Sequence, residues 1–155
     1  AHSAGRLVSL TLSDSFCVDR FRDEFRHLAK EEVDILFANE AEIMSLYEVE
    51  TFDEALQRVR KDCKFAALTR SGAGSVIVGD GEVHVVDAEK VSQLVDTTGA
   101  GDLYAAGFLH GLSRGADAAT CGRLGSIAAA ECIGHFGARP QADLSALVKQ
   151  KGISI

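Results

Sequence analysis

The 155-residue sequence has no tryptophan, a single proline and ten aromatic residues, two Tyr and eight Phe. Flat platforms on which nucleic-acid bases could stack are therefore scarce. With one proline, 46% apolar and 25% charged residues, the composition excludes a disordered, collagenous or low-complexity chain. Long apolar runs are missing: stretches such as Ile127–Ala130 fall far short of a membrane span, and the chain reads as soluble, with no membrane partner. Cations are in deficit, 16 Lys plus Arg against 23 Asp plus Glu, for a net charge of −7. Bulk charge gives a nucleic-acid partner no support, although a local anion site remains compatible with it. The four cysteines, Cys17, Cys63, Cys121 and Cys132, form no C-x-x-C pair and have no histidine at metal-ligand spacing. Structural zinc and a disulfide framework are thus disfavoured, and free thiols in a reducing cytoplasm are expected. The opening AHSAGRLVSLTL has one arginine and a broken apolar run, unlike a signal peptide. It does not start with Met, as expected of a piece of a longer protein. Neither G-x-x-x-x-G-K-[ST] nor G-x-G-x-x-G occurs, which argues against P-loop and Rossmann dinucleotide sites.

What is present is an alternation of short β-rich runs and amphipathic stretches, on a length that suits one packed domain. Arg6–Leu12 reads as a buried strand. Ser13, Asp14 and Ser15 then offer cap oxygens to a helix reaching about Leu28, with Phe21, Phe25 and Leu28 on one face. Val33–Ala38 reads as a second strand and Glu40–Tyr47 as a helix. Thr51 caps another helix, lined by Phe52, Leu56, Val59 and Cys63, and Phe65–Thr69 is a third strand. Ser75–Val78 and Glu82–Val86 around Gly79-Asp80-Gly81 predict a hairpin. Beyond Val95 the pattern predicts helices over Ala100–Leu112, Asp117–Ile133 and Gln141–Lys149. Such alternation implies an α/β fold, a mostly parallel sheet covered by helices, which binds ligands beyond the carboxyl ends of its strands.

The segment Asp96-Thr97-Thr98-Gly99-Ala100-Gly101-Asp102 runs from the apolar pair Leu94-Val95, read as a strand end, into a helix. Gly99 and Gly101 allow tight backbone conformations and close approach of a ligand. The free N–H groups of residues 99–102 at the helix start make an anion hole favoured by the macrodipole. Asp102 sits beside it on the first turn. A carboxylate there suits proton removal from a hydroxyl that attacks a bound phosphate, and equally suits plain helix capping.

DTTGAGD followed by a small, aliphatic helix resembles the second signature of the ribokinase-like, PfkB-type sugar and nucleoside kinases. Asn39-Glu40-Ala41-Glu42 is similar to that family's N-x-x-E motif. Thr69-Arg70-Ser71-Gly72-Ala73-Gly74 is similar to its T-x-G-x-x-G nucleotide loop, with Ser71 in place of the first glycine. Gly137-Ala138 resembles the pair that closes the adenine site. The resemblance implies a three-layer ribokinase-like fold in which residues 1–155 are the nucleotide-binding and catalytic C-terminal portion of a single domain. The N-terminal portion with the substrate lid would be a partner absent from this chain, and with it much of the acceptor pocket. It further implies Asp102 as catalytic base and Gly99, Ala100 and Gly101 as the anion hole. Asn39 would serve the nucleotide and, with Glu42, a water-bridged Mg²⁺; taken alone the tetrapeptide reads as a helix cap. Thr69, Ser71, Gly72, Gly74, Ser126, His135 and Gly137 would line ATP, His135 reading equally as a surface residue. Asp96 and Thr98 resemble positions that hold a monovalent cation in many members, which leaves a use of K⁺ open. Arg70 reads as solvated or phosphate-facing, and Arg20, Arg22 and Arg26 as a solvated helix face.

The implied activity is ATP-dependent phosphorylation of a primary hydroxyl on a nucleoside or sugar. SLTLSDSFCVDRFRDEF and VDILFANEAEI are most similar to adenosine-kinase-like members. The alternatives are a sugar kinase of ribokinase, fructokinase or keto-deoxygluconate type, and a non-catalytic nucleotide-binding protein on the same scaffold. A homodimer is compatible with the sequence, as is a fragment that folds only with a partner chain.

Overall fold

Apolar runs alternating with capped helices organise the chain. In the computed structural model, which describes residues 1–79 and 81–154, the first half is built from β1 (Ser9–Thr11), α1 (Ser15–Arg20), α2 (Arg22–Glu31), β2 (Ile35–Asn39), α3 (Glu40–Tyr47), α4 (Phe52–Asp62) and β3 (Phe65–Thr69). Then come β4 (Ser75–Gly79), β5 (Glu82–Val86), α5 (Ala100–Ser113), α6 (Ala118–Ile133) and α7 (Leu144–Gln150). They form two compact units, residues 1–70 with 76–84, and residues 71–75 with 85 onward.

The five strands form one mixed sheet in the order β1-β2-β3-β4-β5, flanked by helices. β1, β2 and β3 are parallel neighbours. β4 and β5 are neighbours too, and a two-residue connection is far too short for a parallel crossover, so that pair runs antiparallel. The expected hairpin is thus present, although Asp80 of its Gly79-Asp80-Gly81 turn lies outside the described residues. Ile35, Leu36, Phe37 and Ala38 are all buried. Successive strand residues point to opposite faces, so both faces of this central strand are covered, as an apolar run without alternation implies.

Helix starts follow their cap residues. Asn39 accepts from the Glu42 amide at 2.9 Å while the Glu42 carboxylate accepts from the Asn39 amide at 2.8 Å. Thr51 and Glu54 form the same reciprocal box at the start of α4. These boxes satisfy two orphan amides each and fix α3 and α4 where the sequence predicts them. α4 then lays Phe52, Ala55, Val59 and Cys63 into a core with Leu46, Leu36 and Leu68.

Several expectations are corrected. The buried strand over residues 6–12 shortens to Ser9–Thr11, which is half-exposed because it lies at the edge of the described sheet. The single helix to Leu28 is two helices, broken at Phe21 (φ −126°, ψ 36°). The break resets the register: Arg22, Phe25, Arg26 and Ala29 turn inward, while Phe21 and Leu28 are exposed. Arg22 is accordingly no solvated side chain, since its Nε donates to the Ser45 carbonyl at 3.0 Å and it pairs with Asp19 at 2.6 Å. Leu94-Val95 lies in no strand; the Val95 amide donates instead to the Ile133 carbonyl at the end of α6. Finally, α7 starts at Leu144 rather than Gln141, because Asp143 is the residue whose carboxylate caps it, accepting from the Ser145 and Ala146 amides.

In the second unit α5 packs on α6 at backbone range: a methyl group on Gly107 would stand 2.5 Å from the Leu124 carbonyl oxygen. Tyr104 of α5 is buried, its hydroxyl 2.8 Å from that of Ser75. All four cysteines are free thiols. Among the described residues no helix is long and apolar enough to cross a membrane.

Two substitutions test this packing by urea unfolding. Leu68→Ala, at a fully buried site, is expected to cost about 3 kcal/mol. Thr51→Ala, which removes one capping oxygen, is expected to cost about 1 kcal/mol.

Candidate active site

The carboxyl ends of β2 and β3 lie side by side, with Asn39 the register partner of Thr69. The first motif therefore meets the first residue of the nucleotide-loop motif at the strand ends. Asn39 also donates through its side-chain amide to Glu42 at 2.6 Å, so both Glu42 oxygens are engaged. Glu42 is 5% exposed, and burial pushes its carboxyl above the usual range. Arg70, next along, is held rather than solvated: its guanidinium lies 4.2 Å from the centre of the Phe52 ring and 3.3 Å from the Glu40 carboxylate.

The second unit carries the remaining candidates. Ser71 opens a 3₁₀ turn at φ 50°, and its carbonyl accepts from the Gly74 amide at 3.1 Å. Gly74, at φ +85°, abuts the chain so closely that a Cβ would stand 2.0 Å from the Val86 carbonyl oxygen. Only glycine fits there, whatever the ligand. Ser126 reaches the same 86–89 segment from α6, its hydroxyl accepting from the Glu89 amide at 2.8 Å. Gly74 and Ser126, far apart in sequence, are thus brought to one segment, and the Ser126 hydroxyl is spent in holding it.

Asp96 to Asp102 form the turn that leads into α5. Asp96 accepts from the Thr98 amide at 2.9 Å and from the Gly137 amide at 3.1 Å, joining two loops. The Thr98 side chain and amide, with the Gly137 amide, hold its carboxyl below the usual carboxylate range. Gly99 caps α5 in the left-handed region, φ 80°, with its α-carbon against Ala138, where a Cβ would come 2.5 Å from that side chain. No side chain caps α5. Ala100 donates to the Thr97 carbonyl at 3.1 Å, so its amide is taken by the turn. The amides of Gly99, Gly101 and Asp102 meet no acceptor among the described residues. Gly101 and the Asp102 side chain are exposed, and a Cβ on Gly101 would meet nothing within 4 Å. The turn therefore offers three unpaired N–H groups to an anion at a helix N-terminus, with a free carboxylate alongside. His135 lies by the Gly137 loop, its Nδ1 3.2 Å from the Phe136 carbonyl oxygen and its Nε2 3.3 Å from Glu131.

Residues 1–144 match the family described as pfkB family carbohydrate kinase. The chain belongs to that family. A probable sugar kinase from Rhizobium etli is 50% identical, with a TM-score of 0.96 over 98% of this chain and 46% of its own. Adenosine kinase from Sinorhizobium meliloti is also 50% identical, with a TM-score of 0.94 over 97% of this chain and 46% of its own. Ribokinase from Arabidopsis thaliana, solved with ribose and ATP, is 25% identical, with a TM-score of 0.76 over 98% of this chain and 49% of its own. The chain spans less than half the length of the first curated relatives it matches. The ribokinase-like architecture expected from DTTGAGD is the architecture found.

Sequence reasoning missed two neighbours of the PfkB signature, Glu131 and Cys132. Glu131 accepts from the Gln141 and Ala142 amides at 2.9 and 2.8 Å. The Cys132 thiol lies 3.4 Å from the Thr98 carbonyl oxygen. The i, i+4 spacing of Glu131 and His135 was the one readable hint; nothing in the sequence marks Cys132.

Two outcomes follow for the turn. Gly99→Ala is expected to lower the thermal midpoint, through the clash with Ala138 and a strained φ, whereas Gly101→Ala, in open space within a helix, leaves the midpoint equal or raises it, the gain in stability being at most about 1 kcal/mol. The depressed Asp96 carboxyl contributes stability that is fully present above its unfolded pKa and lost as pH falls through the folded value. Asp96→Asn is therefore expected to be less stable than the parent at pH 7, with the gap closing as pH drops below about 4 in a pH series of thermal unfolding.

Proposed function

We propose that this chain is the nucleotide-binding and catalytic portion, residues 1–155, of an ATP-dependent kinase. The kinase transfers the γ-phosphoryl group to a primary hydroxyl of a nucleoside, adenosine-like, or of a sugar. The observation that carries the reading is the α5 start: three amides without acceptors among the described residues, beside an exposed Asp102 carboxylate. Phosphoryl transfer needs little covalent help from the protein; positioning and electrostatic stabilisation supply most of the rate. Asp102 accepts the proton of the attacking hydroxyl. The Gly99–Gly101 turn, with the Asp102 amide, binds the transferred group as charge spreads over its oxygens. The Ala100 amide contributes through the shape of the turn, since its N–H is already bonded to Thr97.

Gly101 supports this reading because the fold does not require it. An alanine there would suit the helix better and would meet no neighbour. Gly72 is in the same position, with open space where a Cβ would stand. Glycines that neither φ nor packing demands are what a ligand at van der Waals range would demand. Thr69, Ser71, Gly72 and Gly74 form the nucleotide loop, and Ser126, His135 and Gly137 the side of the adenine.

Asn39 and Glu42 suit a Mg²⁺ held through water. Both offer hard oxygen ligands, and each Glu42 oxygen keeps a lone pair after its one bond to Asn39. The raised Glu42 carboxyl carries a desolvation that those donors leave uncompensated, as a nearby cation would offset. When bound, Mg²⁺ neutralises and orients the ATP phosphates. Asp96 and Thr98 suit a monovalent cation such as K⁺ in the same way, through oxygen ligands beside the anion turn. The substrate lid and much of the acceptor pocket belong to a preceding N-terminal portion.

Among acceptors, the likeness to the Sinorhizobium meliloti adenosine kinase favours a nucleoside. The equal likeness to the Rhizobium etli probable sugar kinase keeps a sugar acceptor as the second reading. Phosphoryl transfer from ATP by the full-length protein to a panel of nucleosides and sugars separates them. In that assay Asp102→Asn is expected to lower kcat by about 10²–10⁴-fold while ATP still binds by calorimetry. A variant with near-parental kcat would remove Asp102 from the mechanism. Gly101→Ala is expected to lose activity without losing thermal stability.

A further inference from the structure

The segment 134–142 is fastened at two places. At one end Asp96 accepts from the Gly137 amide, and the Cys132 thiol, beneath the same loops, lies 3.4 Å from the Thr98 carbonyl oxygen and 3.8 Å from that of Gly137. At the other, a single Glu131 oxygen accepts from both the Gln141 and Ala142 amides. Between the two fastenings Ala138 lies against the α-carbon of Gly99, the cap of α5.

Glu131 is out of place by local rules. It lies in the last turn of α6, where the macrodipole disfavours a carboxylate and where no basic residue accompanies it. Its side chain is 9% exposed, and its second oxygen, Oε2, is buried without a hydrogen-bond partner among the described residues, as is His135 Nε2. Burial alone would raise its carboxyl; the two amides and the His135 imidazole outweigh that and hold it low. A buried carboxylate kept against the helix dipole, with one oxygen orphaned, is a local conflict of the kind that functional positioning imposes.

We propose that Glu131 is a positioning residue for phosphoryl transfer: by clasping residues 141–142 it seats Ala138 against Gly99 and so fixes the aim of the amide turn at 99–102. This rests on the reading of that turn as the phosphoryl-binding site. Glu131 touches no reacting atom. It acts through the loop, so its loss falls on turnover more than on nucleotide affinity, because misaiming of a transition-state donor is felt where charge develops.

The test compares three variants of the full-length enzyme, each assayed at a temperature where circular dichroism shows it folded. Glu131→Gln keeps a carbonyl oxygen for both amides. Glu131→Met fills similar volume with no acceptor. Ala138→Gly leaves the clasp intact but removes the methyl on which Gly99 rests, and serves should the Met variant not fold. Expected are a kcat within about threefold of the parent for Gln, a fall of about tenfold or more for Met and of about threefold or more for Ala138→Gly, with KM for ATP within about threefold throughout. A Met variant at parental kcat, a Gln variant as poor as Met, or losses confined to KM would each overturn the proposal. So would an Ala138→Gly variant at parental kcat. If instead Asp102→Asn retained parental kcat, the reading of the site itself would fall, whatever Glu131 does.

Discussion

The start of α5 is the constraint on which the second unit turns. A helix leaves its first amides without intrahelical partners, and most helices here answer with a side-chain cap: Asp14, Asn39, Thr51, Asp117 and Asp143 each supply an oxygen. α5 has none. Gly99 enters it in the left-handed region, Ala100 turns its amide back to Thr97, and three donors stay open to solvent. Leaving them so costs stability that any of the usual caps would have supplied, which makes the omission informative.

The glycines around that turn divide by cause. Gly99 and Gly74 are fixed by the fold, since positive φ and backbone or methyl neighbours at 2.0–2.5 Å leave no room for a Cβ. Gly101 and Gly72 are fixed by nothing among the described residues. A sequence motif presents all four as equal letters. Only their surroundings in the fold separate those that shape the loop from those that clear space before it, and the second kind bears on a ligand.

How far the sequence could be read follows from whether a signal is local. α3, β3 and the start of α4 were legible to the residue because Asn39-Glu42 and Thr51-Glu54 mark where their helices begin and FAALT is a compact apolar run. The break at Phe21 was not, since Phe21, Phe25 and Leu28 form a consistent helical face until the register is reset by a single non-helical residue. Leu94-Val95 looked like a strand end because two apolar residues carry no information on partners; the Val95 amide found the end of a helix instead. At the site, DTTGAGD was legible as a turn and its family resemblance as a specific one. The clasp at Glu131 was not, because an acid on an Ala-rich helix shows its use only when Gln141 and Ala142 arrive across the loop.

The competing structural and functional readings of the N-x-x-E motif turn out to describe one arrangement. Asn39 and Glu42 form a complete capping box, which by itself accounts for both residue types at that spacing. The box also does what a preorganised ligand pair requires: it locks both side chains at the carboxyl end of β2, opposite Thr69, before anything binds. A surface capping box would leave Glu42 hydrated, its carboxyl favoured in the charged form by the amide it accepts from. Here the residue is buried, and its carboxyl is raised despite the Asn39 hydrogen bonds. The cap explains the geometry of the pair, and the unrelieved desolvation is the part it does not explain.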